Sequence, residues 1–134
     1  MRNDVLNFFQ MAAGVATSKE DRRSFMIGAI GLRKDGAIVQ SLNSPTSHPS
    51  RICHSEYKLC RKLDFGATVY VARVRFIDGQ FAISRPCKSC QKILKSKKVE
   101  KVFYTISTNE FGIWYPEKDY DKIMQMNNSY LRSL

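Results

Sequence analysis

Apolar side chains recur at helical spacing in the first segment of the chain. They lie three or four positions apart over residues 4–16, where Asn3 or Asp4 can supply an N-cap. The pattern predicts an amphipathic helix, whose apolar positions are Val5, Phe8, Phe9, Ala12 and Val15.

Strand-like runs and turn residues follow this helix. FMIGAIGL at 25–32 and AIVQS at 37–41 flank Lys34-Asp35-Gly36, which is a turn sequence, so together they predict a β-hairpin. The segment 42–53 is rich in Ser, Pro and Asn and predicts a loop. This loop leads into a helix predicted at 54–63.

The second half of the chain places a helix between strands. ATVYVARVRF at 67–76 is the strongest strand pattern, Asp78-Gly79 predicts a turn, and FAIS at 81–84 predicts a short return strand. Residues 87–97 have helical spacing, and VEKVFYTIS at 99–107 predicts a further strand. Because a parallel return needs a crossover, this succession implies a mixed α/β sheet covered by helices.

The end of the chain gives weaker patterns. GIWY at 112–115 is the candidate for a last strand, and residues 117–131 predict a final helix. We find no repeat, low-complexity tract or domain boundary in the sequence. At 134 residues the chain is long enough for one ordinary domain, so we expect a single domain over residues 1–134.

The composition is that of a folded protein rather than a disordered or membrane-spanning one. The chain is 43% hydrophobic and contains 8 Phe, 6 Tyr and 1 Trp. No stretch approaches the roughly 18 apolar residues of a membrane span, and the N-terminus lacks the apolar run of a secretory signal. We therefore expect a cytoplasmic protein whose four cysteines are metal ligands or buried thiols rather than disulfides.

A formal net charge of +10 is large for one small domain, because it combines 22 Lys and Arg with 12 Asp and Glu. Such a charge raises the local concentration of anions and fits a polyanionic partner, although solubility alone also accounts for it.

Two short motifs carry the chemistry: His54-Ser55-Glu56, and Cys87 and Cys90 in the sequence PCKSC, each at the start of a predicted helix. The Cys-x-x-Cys spacing puts two sulfurs on the first turn, where unpaired N–H groups and the helix dipole favour thiolates. One His and two Cys supply three zinc ligands and leave the fourth tetrahedral position for water, as in catalytic zinc sites. We predict one Zn²⁺ per chain.

Glu56 follows the predicted His ligand by two residues, so it can lie near the metal without binding it. There it can take a proton from the water and deliver it to a substrate.

H-x-E followed by P-C-x-x-C is the motif of zinc-dependent nucleobase deaminases, and the chain resembles the cytidine and deoxycytidylate deaminase superfamily. The likeness also includes the hairpin, loop and catalytic helix in GAIGLRKDGAIVQSLNSPTSHPSRICHSE and the strand VEKVFYT. It therefore extends over most of residues 5–107.

The resemblance implies a cytidine-deaminase-like three-layer α/β/α sandwich, with a mixed five-stranded sheet flanked by helices. It also implies that Asn43 approaches the substrate sugar and that the backbone near Ser55 and Ser84 contacts the edge of the base. The triplet usually reads H-A-E, where this chain has Ser55. Deoxycytidylate enzymes usually carry Asn two residues after the Glu, where this chain has Lys58, which speaks against a free-nucleotide substrate.

Alternative roles exist for the cysteines. Cys87 and Cys90 could form a redox pair, or they could complete a four-cysteine structural zinc site with Cys53 and Cys60. These alternatives leave the H-x-E triplet unexplained, and the remaining two cysteines lack a paired short spacing. We interpret Cys53 and Cys60 as small packing residues.

Basic and aromatic residues near the Cys motif are candidate contacts to nucleic acid. Three lysines share one face of the predicted helix, which begins at the motif itself and could track a phosphate backbone, although such a face is usually only solvated. Aromatic rings after the last confident strand could stack on bases, although Phe111 is better interpreted as packing. The candidate contacts are Arg85, Lys88, Lys92, Lys95, Trp114 and Tyr115.

The predicted reaction is hydrolysis of cytosine at C4 to give uracil and ammonia. Each phosphate that a Lys or Arg side chain neutralises adds to the affinity for a nucleic acid. The high positive charge therefore favours cytosine in single-stranded DNA or RNA as substrate. A free-nucleotide or nucleoside deaminase of the deoxycytidylate or cytidine type is the alternative. A second alternative is a non-catalytic, zinc-stabilised domain that binds nucleic acid, which would have no need of the Glu56 carboxylate.

Overall fold

A mixed β-sheet is the centre of the fold. The structure is a computed structural model that describes residues 3–16, 25–42, 59–75 and 78–125. The strands of the sheet are β1 (Phe25–Leu32), β2 (Ile38–Leu42), β3 (Thr68–Arg75), β4 (Phe81–Ala82), β5 (Lys101–Thr105), β6 (Glu110–Tyr115) and β7 (Tyr120–Gln125). Two helices lie wholly within these ranges, α1 (Asn3–Ala16) and α2 (Lys88–Ser96).

The strands lie in the order β2-β1-β3-β5-β6-β7, and β4 pairs with β3 outside this path. β3 and β5 are parallel, whereas the other pairs are antiparallel. The parallel step is possible because α2 lies between these two strands in the chain and returns the backbone to the end of the sheet where β3 began. The predicted mixed α/β sheet is therefore confirmed for the described part of the chain.

Successive residues of a strand point to opposite sides of the sheet, and a helix packs against each side. On one face, Phe9 of α1 packs in a cluster with Tyr70 and Phe103, whose rings are stacked with centroids 4.6 Å apart. On the other face, Leu94 of α2 packs in a cluster with Val69 of β3. The predicted helices over 4–16 and 87–97 are thus confirmed. Of the helix predicted at 54–63, the structure describes the last residues, and Leu59 and Cys60 are helical and buried.

The strand count differs from the five implied by the resemblance, because the described residues form seven strands. One addition is the two-residue β4, which pairs with the end of β3 through the turn at Gly79. The other is β7, and here the predicted helix over 117–131 is wrong for residues 120–125. The backbone turns at Asp119, whose φ is +49°, and then pairs along the whole length of β6. Ladder bonds to β6 outweigh the modest helix propensity of these residues. Residues 126–131 lie outside the described range.

Gly112 of β6 is required by a close approach across the sheet. A Cβ at this position would lie 2.2 Å from Cζ of Tyr104 on the neighbouring strand, far inside the contact distance of two carbon atoms. The Tyr104 ring lies directly over Gly112 and places its hydroxyl on Asp121 of β7.

Gly112→Ala is therefore expected to destabilise the protein by about 2 kcal/mol, because the ring of Tyr104 must move from its buried position. Gly14→Ala is the matched control. A Cβ there meets no atom within 4 Å, and the exposed helical site should gain roughly 0.5 to 1 kcal/mol. Chemical denaturation of the two variants measures the opposite signs, and equal stabilities would contradict the packing of Tyr104 on Gly112.

Candidate active site

The segment between β4 and α2 is fixed at the carboxyl ends of the two parallel strands. The Ser84 N–H donates to the carbonyl of Thr105 at 2.9 Å, and the Ser84 hydroxyl lies 2.9 Å from the carbonyl of Val71. The Thr105 N–H donates back to the Ser84 hydroxyl oxygen at 2.9 Å. This position puts the start of α2 beside the carboxyl ends of β3 and β5, the edge at which open α/β sheets bind ligands.

Ser84 has a structural task in this network. Its side chain is buried, and the contact between its N–H and Thr105 uses the donor that the backbone could otherwise offer to a base. Its neighbour Arg85 and the rest of the segment to Cys87 remain at the surface, apart from the buried Pro86. A contact between Ser84 and a substrate stays a prediction.

Cys87 and Cys90 lie on the first turn of α2. Cys87 is the N-cap, with extended backbone angles (φ −69°, ψ 168°), and its carbonyl accepts the first helical hydrogen bond from the N–H of Gln91 at 2.8 Å. Cys90 is three residues further on and is almost fully buried, whereas Cys87 is exposed. Neither Cys87 nor Cys90 forms a disulfide with another of the described residues. One sulfur therefore reaches the surface and the other is anchored in the core at the same helix end.

The donor chemistry of this turn fits a zinc ion. Sulfur ligands suit zinc, and the unpaired N–H groups of a first helical turn favour the thiolate form that binds it. No group of three or more His, Cys, Asp or Glu side chains close enough to hold a metal occurs among the described residues. His54, Ser55, Glu56 and Asn43 lie outside those residues, so the third predicted ligand and the predicted proton carrier stay predictions.

A charged network includes Arg85, which precedes Cys87 by two residues. The Arg85 guanidinium donates to both carboxylate oxygens of Asp121, from Nε at 2.8 Å and from Nη2 at 2.7 Å. The Tyr104 hydroxyl donates to Oδ2 of the same carboxylate at 2.5 Å. The hydrogen bond from Arg85 lowers the pKa of Asp121 and raises that of the guanidinium. Burial, followed by the bond to Asp121, raises the pKa of Tyr104 to about 12, so this hydroxyl stays protonated as a donor at neutral pH.

The basic face predicted for α2 is present at the surface, since Lys88, Lys92 and Lys95 are all exposed. They differ in their surroundings. The Lys95 ammonium lies 5.9 Å from the centroid of the Trp114 ring, a distance typical of cation–π contacts. Neither Lys88 nor Lys92 has an ion-pair partner in the part of the chain that the structure describes.

The aromatic candidates also differ from one another in burial and in their contacts. Trp114 is completely buried and its indole N–H donates to Asp119 at 3.0 Å. This burial is at odds with the stacking on a base that the sequence suggested, because the ring is enclosed between the sheet and α2. Tyr115 is half-buried and stacks on Tyr120 with centroids 6.2 Å apart. Phe111 is fully buried, which confirms its interpretation as a packing residue.

Sequence patterns did not indicate that Asp121 pairs with Arg85 or that Tyr104 donates to the same carboxylate. Asp121 fell in a segment predicted to be helical, and Tyr104 looked like an ordinary strand residue. The signal that could have placed Asp121 is Pro116 with the turn-forming residues to Asp119, flanked by aromatic residues on both sides, because this pattern fits a hairpin.

None of the helices in the described ranges is long and apolar enough to cross a membrane. No curated protein matched the chain. A family model for the cytidine and deoxycytidylate deaminase zinc-binding region matches residues 2–106, which is most of the chain and includes both motifs. With the paired thiols at the start of α2, beside the carboxyl ends of two parallel strands, this match shows that the chain belongs to the cytidine and deoxycytidylate deaminase zinc-binding family.

Proposed function

We propose that the protein is a zinc-dependent hydrolytic deaminase that converts cytosine to uracil with release of ammonia. The observation that carries the proposal is the pair of thiols on the first turn of α2, with Cys90 anchored in the core and Cys87 at the surface. Such a pair can hold a metal ion rigidly on one side and leave its other side open to a substrate. The match of the family model to residues 2–106 supports the same chemistry.

In the proposed mechanism Cys87, Cys90 and His54 would hold the zinc ion, which would supply a Lewis acid that makes water a nucleophile near neutral pH. Glu56 takes one proton from the attacking water and delivers it to the ring nitrogen of cytosine, and it then moves the second proton of that water from the new C4 hydroxyl to the leaving amine. Water adds at C4, the C–N bond breaks, and the products are uracil and ammonia. Asn43 and the backbone at Ser55 and Ser84 are the proposed contacts that orient the nucleotide.

For the substrate we propose cytosine in a single-stranded nucleic acid. Lys88 and Lys92 extend from the Cys motif along the exposed face of α2. Lys95, the next lysine on this face, lines a groove of about 660 Å³. Two further lysines and two glutamates also line this groove. A strand with its base at the Cys motif could therefore lay successive phosphates along α2. The net charge of +10 favours the same class of partner.

A free cytidine nucleotide is the second candidate for the substrate. It is favoured because two of the residues predicted to contact nucleic acid are engaged in contacts within the protein. Arg85 is paired with Asp121 through two hydrogen bonds, and Trp114 is fully buried, so neither is available to a long strand in this conformation. A single phosphate needs fewer cations than a strand does.

Replacing Lys88 and Lys92 with Gln separates the two substrates. If both lysines contact phosphates of a single strand, the slope of log affinity against log salt should become shallower by about 1.4, since each contact contributes about 0.7. Oligonucleotide binding and uracil formation, measured from low to moderate salt with dCMP in parallel, give the comparison. Because the lysines are exposed, the fold should be unaffected.

Lys118→Gln with Lys122→Gln is the matched control, because it removes two exposed charges from the β6–β7 hairpin. This variant should keep the slope of the unmodified protein. Efficient conversion of dCMP with no conversion of the strand at any salt would establish the nucleotide candidate instead. Zinc and strand binding without turnover of either substrate would establish a non-catalytic nucleic-acid-binding domain.

A further inference from the structure

The four residues that lead into α2 are each held by a different contact. Ser84 is bound to β3 and β5, the Pro86 carbonyl accepts a hydrogen bond from the Gln91 side chain at 2.8 Å, and the Cys87 carbonyl accepts one from the Gln91 N–H. Arg85 is bound to Asp121, which is 36 residues away in sequence and lies on β7. The backbone that presents Cys87 is thus fixed from several sides.

The Arg85–Asp121 contact has the geometry of a rigid anchor. Two parallel N–H···O bonds define both distance and plane, which a single contact cannot do. The pair is partly protected from water, with 36% of the Arg85 side chain and 26% of the Asp121 side chain exposed. Partial burial reduces the screening that makes most surface ion pairs weak.

The carboxylate of Asp121 is itself held in place. The Tyr104 hydroxyl donates to it, and the Tyr104 ring reaches it by lying across Gly112, where any larger residue would block the path. Asp121, Tyr104 and Gly112 thus form a support on β5, β6 and β7 for the segment before Cys87.

We propose that Asp121 is a positioning residue for the metal-binding thiols, acting through Arg85 on the segment that presents Cys87. The inference rests on the proposed function, because it assumes that Cys87 and Cys90 bind zinc. With the anchor in place, the N-cap sulfur is held near the Cys90 sulfur before the metal arrives. Without it, residues 85–87 must be ordered during metal binding, and that loss of conformational freedom weakens the affinity.

Asp121→Asn tests the proposal, because it keeps the shape of the side chain and removes one acceptor and the charge. We expect the dissociation constant for Zn²⁺, measured on the metal-free folded chain by competition with a chromogenic chelator, to rise about tenfold, as is usual when supports of metal ligands are lost. A parallel titration with Co²⁺ should show a thiolate-to-cobalt absorption band that saturates at higher metal concentration than in the unmodified protein.

Glu117→Gln is the control, since it removes a carboxylate from an exposed position on the same hairpin and should leave both titrations unchanged. Arg85→Lys provides a second variant if the Asn substitution prevents folding. It keeps the charge, loses the paired hydrogen bonds, and should weaken metal binding in the same direction.

Two results overturn the proposal in distinguishable ways. If Asp121→Asn lowers the melting temperature of the metal-free chain but leaves the Zn²⁺ dissociation constant within twofold, Asp121 serves only the stability of the hairpin. If the unmodified protein itself binds no Zn²⁺ or Co²⁺ through thiolates, the proposed function fails and the positioning role fails with it.

Discussion

Cys90→Ala is expected to abolish both zinc binding and deamination, while leaving a folded protein. With one of three proposed ligands removed, the remaining two cannot complete a tetrahedral catalytic site, so we expect less than about a tenth of the zinc content of the unmodified protein. Cys87→Ala should have the same consequence for metal and turnover. Elemental analysis of the purified variants, together with uracil formation from dCMP and from an oligonucleotide, measures both effects.

The chain supplies a matched control in Cys60, which is also a nearly fully buried thiol packed in the core. Cys60→Ala and Cys90→Ala each remove a sulfur atom from a nearly fully buried position, so each should destabilise the fold by roughly 1 kcal/mol. Only the second should lose zinc. Full activity in a metal-free Cys90→Ala protein, or loss of zinc from Cys60→Ala with zinc retained in Cys90→Ala, would contradict the assignment of the ligands.

Glu56→Gln is expected to lower turnover by about 10² to 10⁴-fold, the usual contribution of a positioned proton carrier, while zinc remains bound. The amide keeps the shape of the side chain but cannot accept the proton of the water. Turnover number and zinc content, measured on the same preparation, separate the proton role from a ligand role.

Glu100→Gln provides the comparison, because it removes an exposed carboxylate whose described ion-pair contact is a distant one with Lys34 at 3.9 Å. It should leave turnover unchanged. If Glu56→Gln lost its zinc along with its activity, Glu56 would have to be reassigned as a metal ligand. If it kept full turnover, another group would have to move the proton.

Local sequence patterns were sufficient for elements whose residues carry strong and short-range signals. Lys34-Asp35-Gly36 identified the β1–β2 hairpin because Gly36 adopts a φ of +91°, which other residues seldom do. Helix α1 and strand β3 followed from periodicity, since Phe9 and Val71 are fully buried where the pattern placed them. The Cys-x-x-Cys spacing likewise placed two sulfurs on one helical turn.

β7 shows where local patterns fail. Its residues do not favour a strand by themselves, and all six are exposed or only half-buried on an outer strand. β7 forms because the outer edge of β6 has backbone N–H and C=O groups that need hydrogen-bond partners along its whole length. The position of that edge depends on the rest of the sheet. The β6–β7 hairpin brings Asp121 to Arg85, so this ion pair could not be inferred without knowing that the hairpin forms.

The sequence by itself determined the family, the two Cys positions on a helix start and the mixed sheet around them, because these depend on residue type and short spacing. Only the tertiary structure decided the surroundings of the charged and aromatic candidates. Arg85 lies on Asp121, Lys95 lies over Trp114, and the indole is enclosed. Charge and aromatic character are properties of a residue, but whether a group faces solvent or another side chain depends on strands that are distant in sequence and adjacent in space.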